Sequence, residues 1–213
     1  VATLNLVKEI KDDLHLNPWD YDINNPEFEN DRPTYELLAS GKTNGVFQVE
    51  SAGMKDLLIR LKPKLEQLDF EVISVVLALY RPDSMGALDE YVEMATGGSR
   101  PPSIHPDMDK ILKDTNYCMI YQEQLLDIVK KFGGRTYGGA DLFRKAIGKK
   151  IVELVQKESE ILRSEIVANG YSKDIADKIA DELSKKGGYL FNKSHSYSYA
   201  VLCFETAWFK AHY

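Results

Sequence analysis

The stretch FEVISVVLALY, residues 70–80, is apolar on nearly every side when it is wound as a helix. A helix that is hydrophobic all round has to be buried in the protein interior. Arg81 and Pro82 follow directly, and a proline disfavours helical backbone at the residue before it. We therefore predict a central core helix that ends at about Tyr80, with Arg81 at its exit as the one group there with a possible function.

Helical periodicity recurs along the rest of the chain. Asp31, Ser51 and Ser172 each precede an apolar-periodic segment, and these residue types cap helix N-termini. The segment 17–32 is polar and rich in Asn, Asp and Pro, which predicts a surface loop. Gln122 and Glu123 fit either the lining of a groove or a solvated helix face, and we favour the solvated face. The overall prediction is a mainly α fold of many helices with little or no β-structure.

Composition is that of an ordinary globular protein with one large or two small domains. Of the 213 residues, 44% are hydrophobic and 28% are charged, and the formal net charge is −6. Proteins that coat nucleic acid are usually basic overall, so this charge argues against that class. It permits a local basic groove, because affinity follows local phosphate contacts. No apolar run reaches about 18 residues, so no membrane span is predicted.

The residues that could bind metal or attack a substrate are few. Cys118 and Cys203 lie among apolar residues, which favours buried free thiols in a reducing cytoplasm. Asp20 and Asp22 form an Asp-x-Asp pair that can hold Mg²⁺, but the motif is short and lies in the predicted loop, so we reject it. We expect no metal site and no catalytic residue in this chain.

The segment GGADLFRKAIGKK, residues 138–150, is the first candidate binding element. We expect a helix from Asp141, with a buried side formed by Leu142, Phe143, Ala146 and Ile147. Its four basic residues are Arg144, Lys145, Lys149 and Lys150. Arginine offers a planar fork and lysine a point charge, and both suit phosphate oxygens, while paired glycines permit close ligand approach. A solvated basic helix face would show the same residues, and the P-loop pattern is not matched.

The segment GGYLFNKSHSYSYA, residues 187–200, combines polar, cationic and aromatic groups. Its Asn, Lys, Ser and His side chains can donate hydrogen bonds to phosphate, and tyrosine can stack under a base or sugar. A Ser/Asn loop that caps the next helix would have the same composition. That helix is predicted over residues 200–211, with inward side chains from Val201, Leu202, Phe204 and Trp208.

Together, six motifs in order resemble the fingers region of the bacterial DNA polymerase III alpha subunit, the C-family replicative polymerase. They are GVFQVESAGM at 45–54, ALYRP at 78–82, YQEQ at 121–124, the 138–150 segment, FNKSHS at 191–196 and TAWFKAHY at 206–213. The likeness extends from Tyr35 to the last residue. In two places the chain departs from the family: Lys145 replaces a usual arginine, and Asp83-Ser84 replaces a usual Gly-Pro.

The resemblance implies the role of each candidate residue. It implies a helical fingers domain over residues 31–213, truncated at its C-terminus, after a helix and surface loop in residues 1–30 that lead from the palm. This domain would bind the incoming deoxynucleoside triphosphate and the template-primer DNA. Arg144 and Lys145 would contact the phosphates. The opposite side of the triphosphate would be lined by Asn192, Lys193, Ser194 and His195, with Tyr199 near the sugar or base. Weaker candidates for phosphate or template contacts are Arg81, Lys149 and Lys150.

The resemblance also implies what the chain lacks. Nucleotidyl transfer needs metal-held carboxylates as well as cations. In this family the palm holds Mg²⁺, so we expect a piece of a longer polypeptide that binds no metal and is inactive alone. Its chain begins with Val1 and stops directly after an apolar-faced helix. Expected partners are other replicase subunits, and the expected location is the bacterial cytoplasm, with no membrane contact.

Two other classes of function fit the residues. A helical protein-interaction module without a nucleotide ligand would use the motifs only as caps and core. Its basic residues in 144–150 and 185–195 would then share no cleft. An autonomous phosphate-handling enzyme would need carboxylates beside these bases, and Asp141 is the nearby candidate.

Overall fold

The computed structural model describes residues 2–100, 102–149 and 151–213. This part of the chain contains thirteen α-helices and four 3-10 turns, and no β-strand. The helices are α1 (Ala2–Leu14), α2 (Pro26–Glu29), α3 (Arg32–Ala39), α4 (Ala52–Arg60), α5 (Lys62–Leu65), α6 (Phe70–Leu79), α7 (Met85–Ala95), α8 (Pro106–Leu112), α9 (Gln122–Gly133), α10 (Tyr137–Gly148), α11 (Val152–Ala168), α12 (Lys173–Lys186) and α13 (Lys193–His212). The prediction of a mainly α fold is confirmed. Among the described helices, none is both long and apolar enough to cross a bilayer.

The described residues form two compact units. Unit 1 contains the chain up to Tyr80, Ala95–Gly98 and Ser194–Tyr213. Unit 2 contains Arg81–Met94 and Ser99–Lys193. The residues before position 31 belong to unit 1 together with α3 to α6. The proposed division of the chain into 1–30 and 31–213 stays a prediction.

The core of unit 1 is built on α6, as its sequence predicts. Most of its side chains are buried, among them Val72, Ile73, Val75, Val76 and Leu79. Phe204 of α13 is also fully buried and contacts the rings of Phe28, Tyr35 and Phe70 at centroid distances of 5.2, 4.9 and 5.7 Å. These aromatic pairs add to the burial of apolar area. They fix α13 against α6 within the unit.

The segment 17–32, predicted as a surface loop, contains two short helical turns. The first is a 3-10 turn, Pro18–Tyr21, and the second is α2. In each, an asparagine caps the turn and a proline occupies a first-turn position. Proline suits that position because its fixed φ is already helical. The loop prediction was wrong here, since Phe28 of α2 is only 1% exposed and belongs to the core.

The core of unit 2 is formed by α9 to α12. Helix α9 packs against α10 and α11, and α11 packs against α12. The side chains fully buried between them include Leu125, Ile128, Phe132, Phe143, Leu162 and Ile179. Ser172 caps α12 by accepting a hydrogen bond from the Ile175 N–H at 3.3 Å, as predicted. Gly134 ends α9 with φ of +69°, a conformation that glycine adopts without strain.

Helix α10 differs from its prediction in start and in orientation. It begins at Tyr137 instead of Asp141, because Thr136 caps it and accepts a hydrogen bond from the Gly139 N–H. The paired glycines therefore lie in its first turn. Leu142 was predicted to be buried but is 64% exposed. The inward face is formed by Ala140, Phe143, Ala146 and Ile147.

Helix α13 begins at Lys193, seven residues before the predicted start at Ala200. Ser194, His195 and Ser196 are therefore in a helical first turn and not in a loop. The buried face of the helix contains Ser196, Ala200, Cys203, Phe204, Thr206, Ala207 and Phe209. Val201, Leu202 and Trp208, predicted to point inward, are only half-buried.

Both cysteines are free and buried, as predicted. Burial raises the pKa of the Cys118 and Cys203 thiols from 9.0 to about 12. A thiol is charged when it loses its proton, and an apolar environment opposes that charge. Both thiols therefore stay protonated at neutral pH.

Candidate functional site

The open face of α10 carries Asp141, Arg144 and Lys145. The Asp141 carboxylate accepts from Arg144 Nε at 2.8 Å and pairs with Lys145 Nζ at 2.7 Å. These hydrogen bonds, that of Lys145 first, lower the pKa of Asp141. The Lys145 side chain remains 59% exposed, and that of Arg144 is 28% exposed. The two predicted phosphate ligands of α10 thus share one carboxylate on one accessible face.

Arg144 also reaches the start of α9. Its Nη1 atom lies 3.4 Å from Oε1 of Gln122. The backbone N–H of Gln122 donates to the carbonyl of Phe191 at 2.8 Å, and the N–H of Phe191 donates to the carbonyl of Ile120 at 2.9 Å. These two bonds form an isolated parallel bridge between Tyr121 and Phe191. The bridge places the segment that enters α13 beside the first residues of α9.

Glu123 makes the second connection between these elements. One carboxylate oxygen accepts from Asn192 Nδ2 at 2.9 Å, and the other accepts from the backbone N–H of Lys193 at 2.9 Å. Lys193 is the first residue of α13, where backbone N–H groups have no partner inside the helix. A carboxylate at that position is favourable for the helix dipole as well. Glu123 therefore holds both the side chain of Asn192 and the backbone of Lys193.

Two cation–π contacts support the same segment. The Lys193 ammonium lies 5.2 Å from the ring centroid of Tyr121, whose side chain is fully buried. The Arg81 guanidinium lies 4.6 Å from the ring centroid of Phe191 and donates to the carbonyl of Tyr189 at 2.9 Å. Desolvation lowers the pKa of Arg81, against the opposing effect of Asp83. Arg81 thus supports the chain that leads to Asn192.

The remaining predicted residues of this group lie in unit 1, on α13. Ser194, His195 and Tyr199 are exposed. His195 and Tyr199 are four residues apart on the helix, and their rings have a centroid distance of 4.7 Å. Tyr199 also contacts the ring of Phe47 at 5.4 Å, which connects it to the 45–54 motif. The structure thus pairs two of these three residues.

In unit 2 the structure connects Arg144 with Asn192 and Lys193 through the start of α9. The favoured prediction of a solvated helix face for Gln122 and Glu123 was wrong, since both are half-buried and hydrogen-bonded to these segments. The signal available was the YQEQ motif itself, with two polar residues at a helix start.

Lys149 is exposed beyond the end of α10, and Lys150 lies outside the described residues.

The chemistry of this arrangement suits an anion. Cationic and amide donors surround the start of α9, and the two nearby carboxylates, Asp141 and Glu123, are each engaged by donors. Among the described residues, no group of three His, Cys, Asp or Glu side chains is placed to hold a metal ion. Asp22 of the Asp-x-Asp pair accepts from the Asn24 N–H at 2.8 Å.

The fold and this site define a mainly α-helical domain that presents arginine, lysine and amide donors beside the start of one helix. The chain belongs to the bacterial DNA polymerase III alpha subunit finger domain family, whose family model matches residues 3–170. It is similar to DNA polymerase III subunit alpha of Aquifex aeolicus (strain VF5), with 39% identity over 216 residues, covering 100% of this chain and 18% of the relative.

Two further relatives carry the same name. DNA polymerase III subunit alpha of Halalkalibacterium halodurans is 40% identical over 184 residues, covering 86% of this chain and 16% of the relative. That of Rickettsia conorii is 38% identical over 213 residues, covering 100% of this chain and 18% of the relative. The chain therefore spans less than a fifth of the length of these curated relatives.

Proposed function

We propose that this chain is the fingers portion of a replicative DNA-directed DNA polymerase and binds the triphosphate of the incoming deoxynucleotide. The observation that carries the proposal is the connection of Arg144 with Asn192 and Lys193 through the adjacent residues Gln122 and Glu123. These are the segments to which the family resemblance assigns phosphate contacts. Membership of the finger-domain family supports the same role.

Arg144 and Lys145 are the main phosphate ligands in this proposal. In the structure both pair with the single carboxylate of Asp141, which leaves one of their two positive charges uncompensated. A triphosphate carries more negative charge than one carboxylate, and arginine binds phosphate oxygens through two parallel N–H donors. The nucleotide therefore displaces the Asp141 carboxylate from part of its contacts. Lys145 contributes a point charge from its exposed side chain.

Asn192 and Lys193 supply donors from the second segment. On the strength of the family motif, we assign Ser194 and His195 to phosphate and Tyr199 to the sugar or base. Further contacts to phosphate or to primer-template DNA are assigned to Arg81, Lys149 and Lys150. The other replicase subunits remain expected partners of the full-length polymerase.

Catalysis requires groups that the described residues do not supply. Asp141 and Glu123, the carboxylates beside the phosphate donors, do not fit a Mg²⁺ site, because they are engaged by cations and amide donors. We propose that the palm of the full-length polymerase holds Mg²⁺ and that this chain is inactive alone. The same engagement weighs against an autonomous phosphate-handling enzyme. The interaction-module alternative required scattered basic groups, whereas Arg144 and Lys193 both lie beside the start of α9.

The proposal is tested by titrating the chain with a fluorescent deoxynucleoside triphosphate at low and moderate salt. Arg144→Ala removes a charge-assisted donor, so we expect roughly tenfold weaker binding or more. Arg163→Ala is the matched control, since Arg163 is also a helix-borne arginine paired with carboxylates, those of Asp177 and Asp181. It should bind as the wild type does. His195→Ala tests the second segment and should also weaken binding.

The same variants are then measured in the full-length polymerase, where the rest of the site is present. Arg144→Ala should raise the KM for deoxynucleotides, and Arg163→Ala should leave it unchanged. Equal KM values for wild type and Arg144→Ala in that protein would refute the proposal.

A further inference from the structure

The first turn of α9 touches both proposed phosphate-binding segments of unit 2. Gln122 accepts from Arg144 of α10, and Glu123 accepts from Asn192 and from the backbone of Lys193. The two residues are neighbours in the chain, so their backbone positions are fixed relative to each other. The distance between the two groups of phosphate donors is therefore set at this turn.

Hydrogen bonds to the backbone fix the position of the first turn of α9. The bridge between Tyr121 and Phe191 joins the two segments through N–H···O bonds of 2.8 and 2.9 Å, immediately before Glu123 and Asn192. Gln124 accepts from the N–H groups of Ile120 and Tyr121 at 2.8 and 2.9 Å, which anchors the turn from its inner side. A side chain on backbone that is fixed in this way has a more precisely defined position than a side chain on a free loop.

We infer that Glu123 is a positioning residue for the incoming nucleotide, which sets the side chain of Asn192 and the backbone of Lys193 without contacting the triphosphate itself. This inference rests on the proposed function of the site. Both carboxylate oxygens of Glu123 accept hydrogen bonds from these two residues, so the carboxylate is directed at Asn192 and Lys193. A misplacement of about 1 Å in such donors is costly in a phosphoryl-transfer site.

Two substitutions distinguish the effect of losing the carboxylate from the effect of losing side-chain volume. Glu123→Gln has the same shape but offers one acceptor oxygen in place of two. Its amide NH₂, itself a donor, then faces one of the two donors that the carboxylate accepts from. Glu123→Ala removes both acceptors. Glu153→Ala is the matched control, because Glu153 is the second residue of α11 just as Glu123 is the second residue of α9. Each glutamate therefore lies in the first turn of its own helix, where a negative charge is favourable for the helix dipole.

The experiment measures steady-state kinetics of the full-length polymerase with each variant, together with its thermal unfolding midpoint. We expect Glu123→Ala to raise the KM for deoxynucleotides about tenfold with a smaller fall in kcat. Glu123→Gln should give an intermediate KM, and Glu153→Ala should give the wild-type value. The KM for primer-template should not change. A residue that only stabilises the fold would lower the unfolding midpoint and leave the KM unchanged.

Each result supports or overturns the inference. A wild-type KM in both Glu123 variants, with a raised KM in Arg144→Ala, overturns the role of Glu123 and leaves the proposed function intact. A wild-type KM in Arg144→Ala as well overturns the proposed function. Equal increases in Glu123→Ala and Glu153→Ala would show that the effect comes from helix stability and would also overturn the inference. Glu123→Gln keeps the test decisive if Glu123→Ala does not fold.

Discussion

Replacing Gln124 with leucine perturbs the anchor of the α9 first turn. The Gln124 side chain is 8% exposed, and its oxygen accepts from the N–H groups of Ile120 and Tyr121, both of which are fully buried. Its amide also donates to Thr115 Oγ1 at 2.7 Å. Leucine has a similar volume but provides no acceptor. The substitution therefore removes three hydrogen bonds at one buried point.

The magnitude follows from these contacts. A buried donor that loses its acceptor costs about 1–3 kcal/mol, so two such donors cost about 2–6 kcal/mol. Burying leucine in place of the amide returns about 1–2 kcal/mol. The single Thr115 hydroxyl proton keeps an acceptor, since the carbonyl of Cys118 lies 2.6 Å and that of Leu112 lies 3.1 Å from Oγ1. The midpoints of these two ranges, about 4 and about 1.5 kcal/mol, give an expected net loss of about 2.5 kcal/mol in the free energy of unfolding.

Urea unfolding of the chain, followed by circular dichroism at 222 nm, measures this loss. The slope of the transition should stay constant while its midpoint falls. Gln156→Leu is the control, because Gln156 of α11 is exposed and the same chemical change there should alter stability by less than about 0.5 kcal/mol. A loss below about 1 kcal/mol for Gln124→Leu would show that the Ile120 and Tyr121 N–H groups do not depend on Gln124.

Two further predictions concern the Asp141 carboxylate and the two buried thiols. Asp141→Asn frees Arg144 and Lys145, so triphosphate binding should tighten roughly two- to fivefold at low salt and the gain should vanish at high salt. Weaker binding in this titration would mean that Asp141 orients Arg144. Because the pKa of Cys118 and Cys203 rises from 9.0 to about 12 on folding, the unfolded chain binds fewer protons above pH 9. Stability should therefore be intact below pH 9 and fall between pH 9 and 12, by about 1.4 kcal/mol per pH unit for each thiol. Urea midpoints should show a smaller alkaline loss with alanine at both positions, and an equal loss would exclude the thiols as its cause.

Local signals in the sequence were sufficient for most helices. The apolar run that became α6 is buried as expected, and Asp31, Ser51 and Ser172 cap the helices that they were predicted to cap. The predicted start of α10 was wrong because threonine, a helix-capping residue type, precedes its paired glycines. Thr136 starts α10 four residues earlier than predicted.

The candidate phosphate-binding residues were proposed from sequence, through residue chemistry and the family resemblance, and their binding role stays a prediction. The chemistry of Arg144, Lys145, Asn192 and Lys193 is that of phosphate donors whatever the fold. The pattern did not show which carboxylates accompany them. Asp141 was noted as a neighbour in sequence, and its pairing with both cations follows from the helical spacing of three and four residues.

The sequence by itself determined the helical fold class, the buried α6 and the donor chemistry of the two segments, because these depend on local periodicity and residue type. Only the tertiary structure decided that Gln122 and Glu123 connect Arg144 to Asn192 and Lys193, which lie 22, 69 and 70 residues away in the chain from their partners. It also decided that Leu142 faces outward while Phe143 faces the core. Both depend on how α9, α10 and the segment before α13 pack, and packing between distant segments leaves no periodic signal in one sequence.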